Sequence, residues 1–271
     1  MTFAQKYGPW ALVAGASDGV GAAFAEGPAQ RGVNVALLAR REAVLREIAS
    51  GIEDRTGVQT RFLAVDLATE GAAEAVVEAT GDLEIGMLVY CAGADPDFVP
   101  FLSSPVEAAE AMLRRNCLVP MRLCHHFAPS MVSRGRGGIV IFGSGAGFAG
   151  GPNMVAYSAT KAFDMVFAEA LWTEVHDKGV DVLGLILSKT DTPALRRLEY
   201  ERGQIASLDQ RPADSATVDD VIAEAFENIA NGPTWIVGEN MRAALQMMGS
   251  VPRNEAVRFI MQATAAAMGD G

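Results

Sequence analysis

Tyr157 and Lys161 stand four positions apart, the spacing that stacks two side chains on one face of a helix. A phenol has a pKa near ~10 and is a poor acid–base group at neutral pH. An adjacent ammonium stabilises the phenolate and lowers that value. A phenol adjusted in this way can hand a proton to a carbonyl oxygen or take one from an alcohol. The pair alone also fits the surface of an ordinary amphipathic helix, because Tyr-x-x-x-Lys arises by chance in many chains. Ser144 adds a hydroxyl where the apolar run Ile139 to Phe142 gives way to a glycine-rich turn. The run reads as a buried strand, the glycines end it, and a helix is expected from about Asn153.

The order and spacing of Ser144, Tyr157 and Lys161 resemble those of the short-chain dehydrogenase/reductase family. The resemblance covers about residues 8–240, and the last thirty residues follow it only loosely. It implies that Tyr157 is the acid–base group, and that Lys161 lowers the phenol pKa and holds the nicotinamide ribose. It implies further that Ser144 hydrogen-bonds the substrate oxygen and that Asn116 supports a water relay toward Lys161. Without that context Asn116 reads as a polar residue tolerated in a helix. Each role has a physical motive. Hydride transfer to a carbonyl builds negative charge on oxygen, and preorganised donors around that oxygen lower the barrier. The cofactor supplies the hydride; the protein supplies position and a proton.

These groups need a scaffold that converges. Trp10–Ala14 reads as a first strand, followed by Gly15-Ala-Ser-Asp-Gly19-Val-Gly21 and an apolar helical run. A glycine-rich turn between strand and helix lets backbone N–H groups approach a pyrophosphate at the helix N-terminus. Further strands are expected over 33–39, 58–65, 87–90, 180–187 and 234–237, with helices over about 42–55, 70–79, 106–133 and 217–231. The alternation predicts a Rossmann-like α/β fold, a doubly wound and mostly parallel sheet of seven strands in one domain. Pro28 is expected to kink or break the helical run that follows Gly21, and Pro120 and Pro129 to bend the one over 106–133.

By resemblance, the cofactor meets Gly15, Ser17, Asp18, Gly19, Val20 and Gly21 in the first turn. It also meets Asp66 and Leu67 after the third strand, Cys91, Ala92 and Gly93 after the fourth, and Leu187, Ser188, Thr190 and Thr192 after the sixth. The chain departs from the family at Ala14 (usually Thr), at Cys91 (usually Asn) and at Leu187-Ser188 (usually Pro-Gly). The end of the second strand reads Leu37-Leu38-Ala39-Arg40-Arg41. A carboxylate there would accept from a ribose 2′-hydroxyl and repel a 2′-phosphate. None is present, and guanidinium pairs bidentately with phosphate, so NADP(H) is expected over NAD(H). Arg40 and Arg41 also fit the start of a solvated helix.

A formal charge of −11 disfavours a nucleic-acid partner. No apolar run reaches the ~18 residues that span a bilayer, and the first residues lack a signal-peptide layout, so a cytoplasmic enzyme is expected. Cys91, Cys117 and Cys124 do not suggest a disulfide framework, and His125 and His126 read as helix residues; no metal site is expected. Residues 191–215 are charged and helix-prone where the family carries a mobile substrate lid, and 240–271 form a helical extension. The methionines of that tail (Met241, Met247, Met248, Met261, Met268) suit core or subunit packing. The helix after Tyr157 is apolar beyond one stripe, which predicts a homodimer or homotetramer. The opening Lys6-Tyr-Gly-Pro-Trp10 looks like that of 17β-hydroxysteroid-type dehydrogenases, which implies a steroid-like or long-chain acyl carbonyl or alcohol as substrate. The alternatives are a 3-oxoacyl-thioester reductase and a non-catalytic dinucleotide-binding sensor.

Overall fold

The computed structural model describes residues 1–94 and 98–268, with 263–268 described by backbone alone. Seven strands form one parallel sheet in the order β3-β2-β1-β4-β5-β6-β7. They are β1 (Trp10–Ala14), β2 (Asn34–Ala39), β3 (Thr60–Ala64), β4 (Ile85–Tyr90), β5 (Gly137–Ser144), β6 (Val180–Leu187) and β7 (Thr234–Ile236). The sequence of β4, Ile-Gly-Met-Leu-Val-Tyr, is buried throughout, as a strand covered on both faces requires. Alternation in β1 divides the core in two. Ala11 and Val13 face α2 (Gly19–Gln30), α3 (Glu42–Thr56) and α9 (Val218–Asn228), whereas Leu12 and Ala14 face α4 (Ala72–Ala79), α6 (Val119–Arg134) and α7 (Val155–Val175).

The opening residues form a short helix, α1 (Phe3–Tyr7), capped by Thr2. The Lys6 ammonium donates to the Gly179 carbonyl at 2.9 Å and pairs with Asp181 at 3.2 Å. The Tyr7 hydroxyl donates to Asp181 at 2.7 Å, and burial, ahead of that carboxylate, raises its pKa. The Lys-Tyr opening therefore ties the N-terminus to the start of β6, at the end of the sheet remote from Tyr157.

Two helix expectations are corrected. Pro28 does not break α2, which continues to Gln30. The proline falls in the last turn, and its carbonyl accepts from Arg31 and Val33 as the chain leaves the helix. The adjacent Gly27 has a packing reason: a Cβ there would lie 2.1 Å from the Phe226 ring of α9. That ring stacks on Phe24 at 4.7 Å, and the Arg31 guanidinium lies 4.3 Å from its centroid. It is held on both sides, so Gly27→Val should cost ~2 kcal/mol by overpacking. An unchanged denaturant midpoint would show that Phe226 simply moves aside.

The expected helix over 106–133 runs unbroken from Val106 to Arg134, but it is not α-helical throughout. It is α5 (Val106–Leu113), a π-helical turn (Arg114–Leu118) and α6. The Val119 amide donates to Arg114, five residues back. Pro120 is the second residue of α6, directly after the π turn, and α6 runs on through Pro129. The irregularity therefore sits before the prolines, at Asn116. Smaller differences are at ends: α7 begins at Val155, after Asn153 in the left-handed region, and α9 ends at Asn228.

The chain closes with α8 (Pro193–Glu201), α9, α10 (Glu239–Gly249) and α11 (Arg253–Met268). In the single chain Met247 and Met261 are 59% and 52% exposed, so core packing is not their role. Met241 does turn inward, with its methyl close over Gly145.

Candidate active site

The sheet order reverses direction between β1 and β4, and ligands of such sheets bind beyond the carboxyl ends of the strands at that point. Gly15 leaves β1 there with φ 88°, and a Cβ on it would lie 2.9 Å from the Ala92 amide nitrogen. Only glycine fits this approach of the β1 and β4 ends. The Gly15 and Ala16 amides both donate to the Leu38 carbonyl, and Asp18 caps α2 by accepting from Gly19 at 2.8 Å. The first-turn N–H groups of Val20 and Gly21 have no helical acceptor, the arrangement that suits a phosphate. Gly21 is needed because a Cβ there would meet the Gly15 carbonyl oxygen at 2.2 Å.

Arg41 donates to the Ser17 carbonyl at 2.6 Å and approaches Asp18 at 3.6 Å. Arg40 is exposed and makes no hydrogen bond or ion pair among the described residues. Asp66 is exposed and accepts from the Ala68 amide at 2.9 Å, while Leu67 is buried beneath it. Past β6, the Thr190 hydroxyl donates to the Ser188 carbonyl and its backbone bridges to Ala216. Thr192 caps α8 by accepting from Leu195, and its methyl lies over Gly19. Arg197 of α8, which no motif marks, reaches Asp18 at 3.0 Å from 179 positions away.

The second group converges at the ends of β4 and β5. Lys161 projects from α7, 4% exposed, and donates to the Phe142 carbonyl at 2.8 Å and to Asp164 at 2.9 Å. Its nitrogen lies 5.9 Å from the Tyr157 ring centroid. A Cβ on Gly93 would come within 2.9 Å of that nitrogen and 3.2 Å of Asn116 Oδ1, so Gly93, Lys161 and Asn116 surround one point. Asn116 is fully buried within the π turn. Its amide donates to the Thr160 hydroxyl at 2.9 Å, which in turn donates to the Tyr157 carbonyl at 2.8 Å. Pro120, four residues on, has no N–H to offer the Asn116 carbonyl. Ser144 ends β5 two residues beyond Phe142, accepts from the Ala146 amide at 3.2 Å and lies opposite Leu187. Thr160 and Asp164 are missed by motif spacing, although Asp164 is the charged residue in a run of apolar ones.

Charges in this group are strongly conditioned by burial. Burial opposes the Lys161 ammonium, but Asp164 and Tyr157 together carry its pKa above the ordinary lysine value. Burial pushes the Asp164 carboxyl up to about 6 despite the ammonium beside it. The Cys91 thiol is pushed up to about 12 by burial, so it stays protonated at neutral pH. Its amide donates to the Ala14 carbonyl at 2.9 Å, which joins the ends of β4 and β1 through backbone alone.

A buried ammonium beside a phenol, past a glycine turn built for phosphate, can move a proton next to a bound dinucleotide. Residues 9–203 match the family model described as short chain dehydrogenase. The chain belongs to the short-chain dehydrogenase family. It is 33% identical over 267 residues to a 7β-hydroxysteroid dehydrogenase of Clostridium sardiniense, covering 95% of this chain and 96% of that one. A solved 7β-hydroxysteroid dehydrogenase structure superposes with a TM-score of 0.87 at 30% identity, covering 96% and 99% of the two chains. The human very-long-chain 3-oxoacyl-CoA reductase is 31% identical over 243 residues, 84% of this chain and 77% of its own. A short-chain dehydrogenase from Sphingobium yanoikuyae in complex with NADPH superposes with a TM-score of 0.74 at 28% identity, covering 90% and 97%. As a member of the short-chain dehydrogenase family, the protein is an oxidoreductase that uses a nicotinamide dinucleotide.

Proposed function

We propose that this short-chain dehydrogenase interconverts a carbonyl and a secondary alcohol on an apolar, steroid-like substrate with NADP(H). The observation that carries the chemistry is the convergence of Lys161, Asn116 and Gly93 on one point beside Tyr157. The bound cofactor supplies or accepts the hydride. Tyr157 holds the proton exchanged with the substrate oxygen, and Ser144 donates to that oxygen as charge develops on it. Lys161 keeps positive charge beside the phenol and faces the ribose, and Asn116 leads from Lys161 toward solvent through water.

The turn from Gly15 to Gly21, with Asp66, Leu67, Cys91, Ala92 and the segment from Leu187 to Thr192, forms the dinucleotide cradle. NADP(H) is favoured by Arg40 and Arg41 at the end of β2 and by the NADPH held in the Sphingobium neighbour. A steroid-like substrate is supported by near full-length similarity to the Clostridium enzyme. Exposed Phe101 and Leu102, in the segment after β4, supply apolar surface that suits it. Residues 191–215 act as the lid of a single domain, with α8 braced by Arg196 on Asp191 at 2.6 Å and 2.7 Å. α10 and the start of α11 back the Ser144 loop through Met241 and through Arg253, which donates to the Phe148 carbonyl.

A 3-oxoacyl-thioester reductase is the second reading, favoured by the similarity to the human acyl-CoA enzyme. NADPH consumption measured against ketosteroids, 3-oxoacyl thioesters and small ketones separates the two. The first reading expects the highest kcat/KM with a ketosteroid, and preference for the thioester would replace it. The outer face of α7, where Val166 is 57% exposed and Phe163 and Met165 half-buried, is assigned to a partner subunit. Sedimentation should give a multiple of 28.6 kDa, and a monomer at micromolar concentration would overturn that assignment.

A further inference from the structure

Asp164 is a charged residue of the Lys161 neighbourhood that the proposed chemistry leaves unused. It lies on α7 between Phe163 and Met165, is 3% exposed, and shares a 2.9 Å ion pair with Lys161 in which both side chains are almost fully buried. This is unlike an exposed helix pair. Taking two charges out of water costs several kcal/mol, and apolar residues of like volume often serve stability as well or better. The other carboxylate oxygen, Oδ1, is buried with no hydrogen-bond partner among the described residues, a further cost. The arrangement is thus poor as a stabilising device.

Its geometry does have a use at the site. An ammonium has three N–H donors. The Phe142 carbonyl takes one and Asp164 Oδ2 a second. That fixes the direction of the third while the nitrogen faces Gly93 and Asn116. Among the described residues around the pair Asp164 is the main counter-charge, with a smaller contribution from Tyr157. Asp164 faces Tyr90 of β4, Cys117 of the π turn and Cys124 of α6, and Lys161 faces Cys91 and Tyr157. Burial raises the pKa of Tyr90 and of all three thiols, so they are neutral at neutral pH. Arg115, the nearby cation, is taken up by the Asn116 and Ala94 oxygens.

We propose that Asp164 is a positioning residue for the reaction, keeping the buried Lys161 side chain an ammonium and aiming its remaining N–H toward the nicotinamide end of the site. Asp164 acts through Lys161 and touches neither substrate nor cofactor. The kinetic part of this inference rests on the oxidoreductase reading above; the charge state of Lys161 does not. Removing the carboxylate leaves burial unopposed by its main counter-charge, so Lys161 should lose its proton at lower pH.

The test is an NMR titration of the full chain labelled with 13Cε-lysine. Lys6, Lys161, Lys178 and Lys189 are its lysines, and Lys161 is assigned through Lys161→Met. In Asp164→Asn the Lys161 resonance should titrate about one pH unit or more below its wild-type position. The alkaline limb of kcat/KM for NADPH-dependent carbonyl reduction should move down with it, and Asp164→Glu should restore both toward wild type. If Asp164→Asn fails to fold, Asp164→Ser removes the same charge and is read in the same way. An unmoved Lys161 titration overturns the inference, as does a moved titration with an unmoved kinetic limb. A wild type inert toward every carbonyl would overturn the oxidoreductase reading, while the titration alone would still decide what Asp164 does to Lys161.

Discussion

Tyr157→Phe should reduce carbonyl turnover by ~10²- to 10⁴-fold, the range a positioned general acid contributes. The substitution removes one oxygen from a half-buried side chain whose hydroxyl makes no hydrogen bond among the described residues. Fold and stability should therefore stay close to wild type. The backbone carbonyl of residue 157, which accepts from Thr160, is untouched, so Asn116 keeps its partner. Lys161 also keeps its contacts to Phe142 and Asp164. NADPH should bind within about 2-fold of wild type, since a missing phenol oxygen loses at most one hydrogen bond of ~0.5–1.5 kcal/mol. The decisive measurement is kcat with the best ketone alongside an NADPH titration. Turnover above a tenth of wild type would remove Tyr157 from its assigned role.

Arg40→Asp should weaken NADPH by ~100-fold and change NADH by less than ~3-fold. The structure distinguishes the two arginines. Arg41 is committed to the Ser17 carbonyl and lies near Asp18, whereas Arg40 has no partner among the described residues and stands exposed at the end of β2. A charge-assisted hydrogen bond contributes ~1.5–3 kcal/mol, which is roughly one to two factors of ten in affinity. Reversing the charge adds repulsion toward a 2′-phosphate and offers a carboxylate to a 2′-hydroxyl. Fluorescence titration of both cofactors against wild type and variant measures it. A wild type that binds the two equally would end the case for NADP(H) preference.

Much of this architecture was legible in the chain itself. Trp10–Ala14 and Val180–Leu187 were delimited to the residue because apolar runs there stop at glycine or polar turns. β3 is shorter than expected because it is an edge strand, with β2 alone to pair with. The π turn at Arg114–Leu118 is not marked by Arg-Arg-Asn-Cys-Leu itself, since none of these residues demands an extra residue in the turn; its local mark is Pro120, whose missing N–H leaves the Asn116 carbonyl without its ordinary donor. Asp18–Arg197 and Arg253–Phe148 were invisible for a different reason: pairs so far apart in sequence carry no local pattern. Asp164 could have been found by asking why a carboxylate interrupts the apolar run from Ala162 to Phe167.

The strand order also describes how the chain can be assembled during synthesis. β2 joins β1 and β3 joins β2; β4 then takes the other edge of β1, and β5, β6 and β7 each add outward. Every strand emerging from the ribosome thus finds an edge already made, and no strand must insert between two earlier ones. The first helix is the exception. Lys6 and Tyr7 find Asp181 across 174 positions for the phenol, so the segment made first is among the last to lock down.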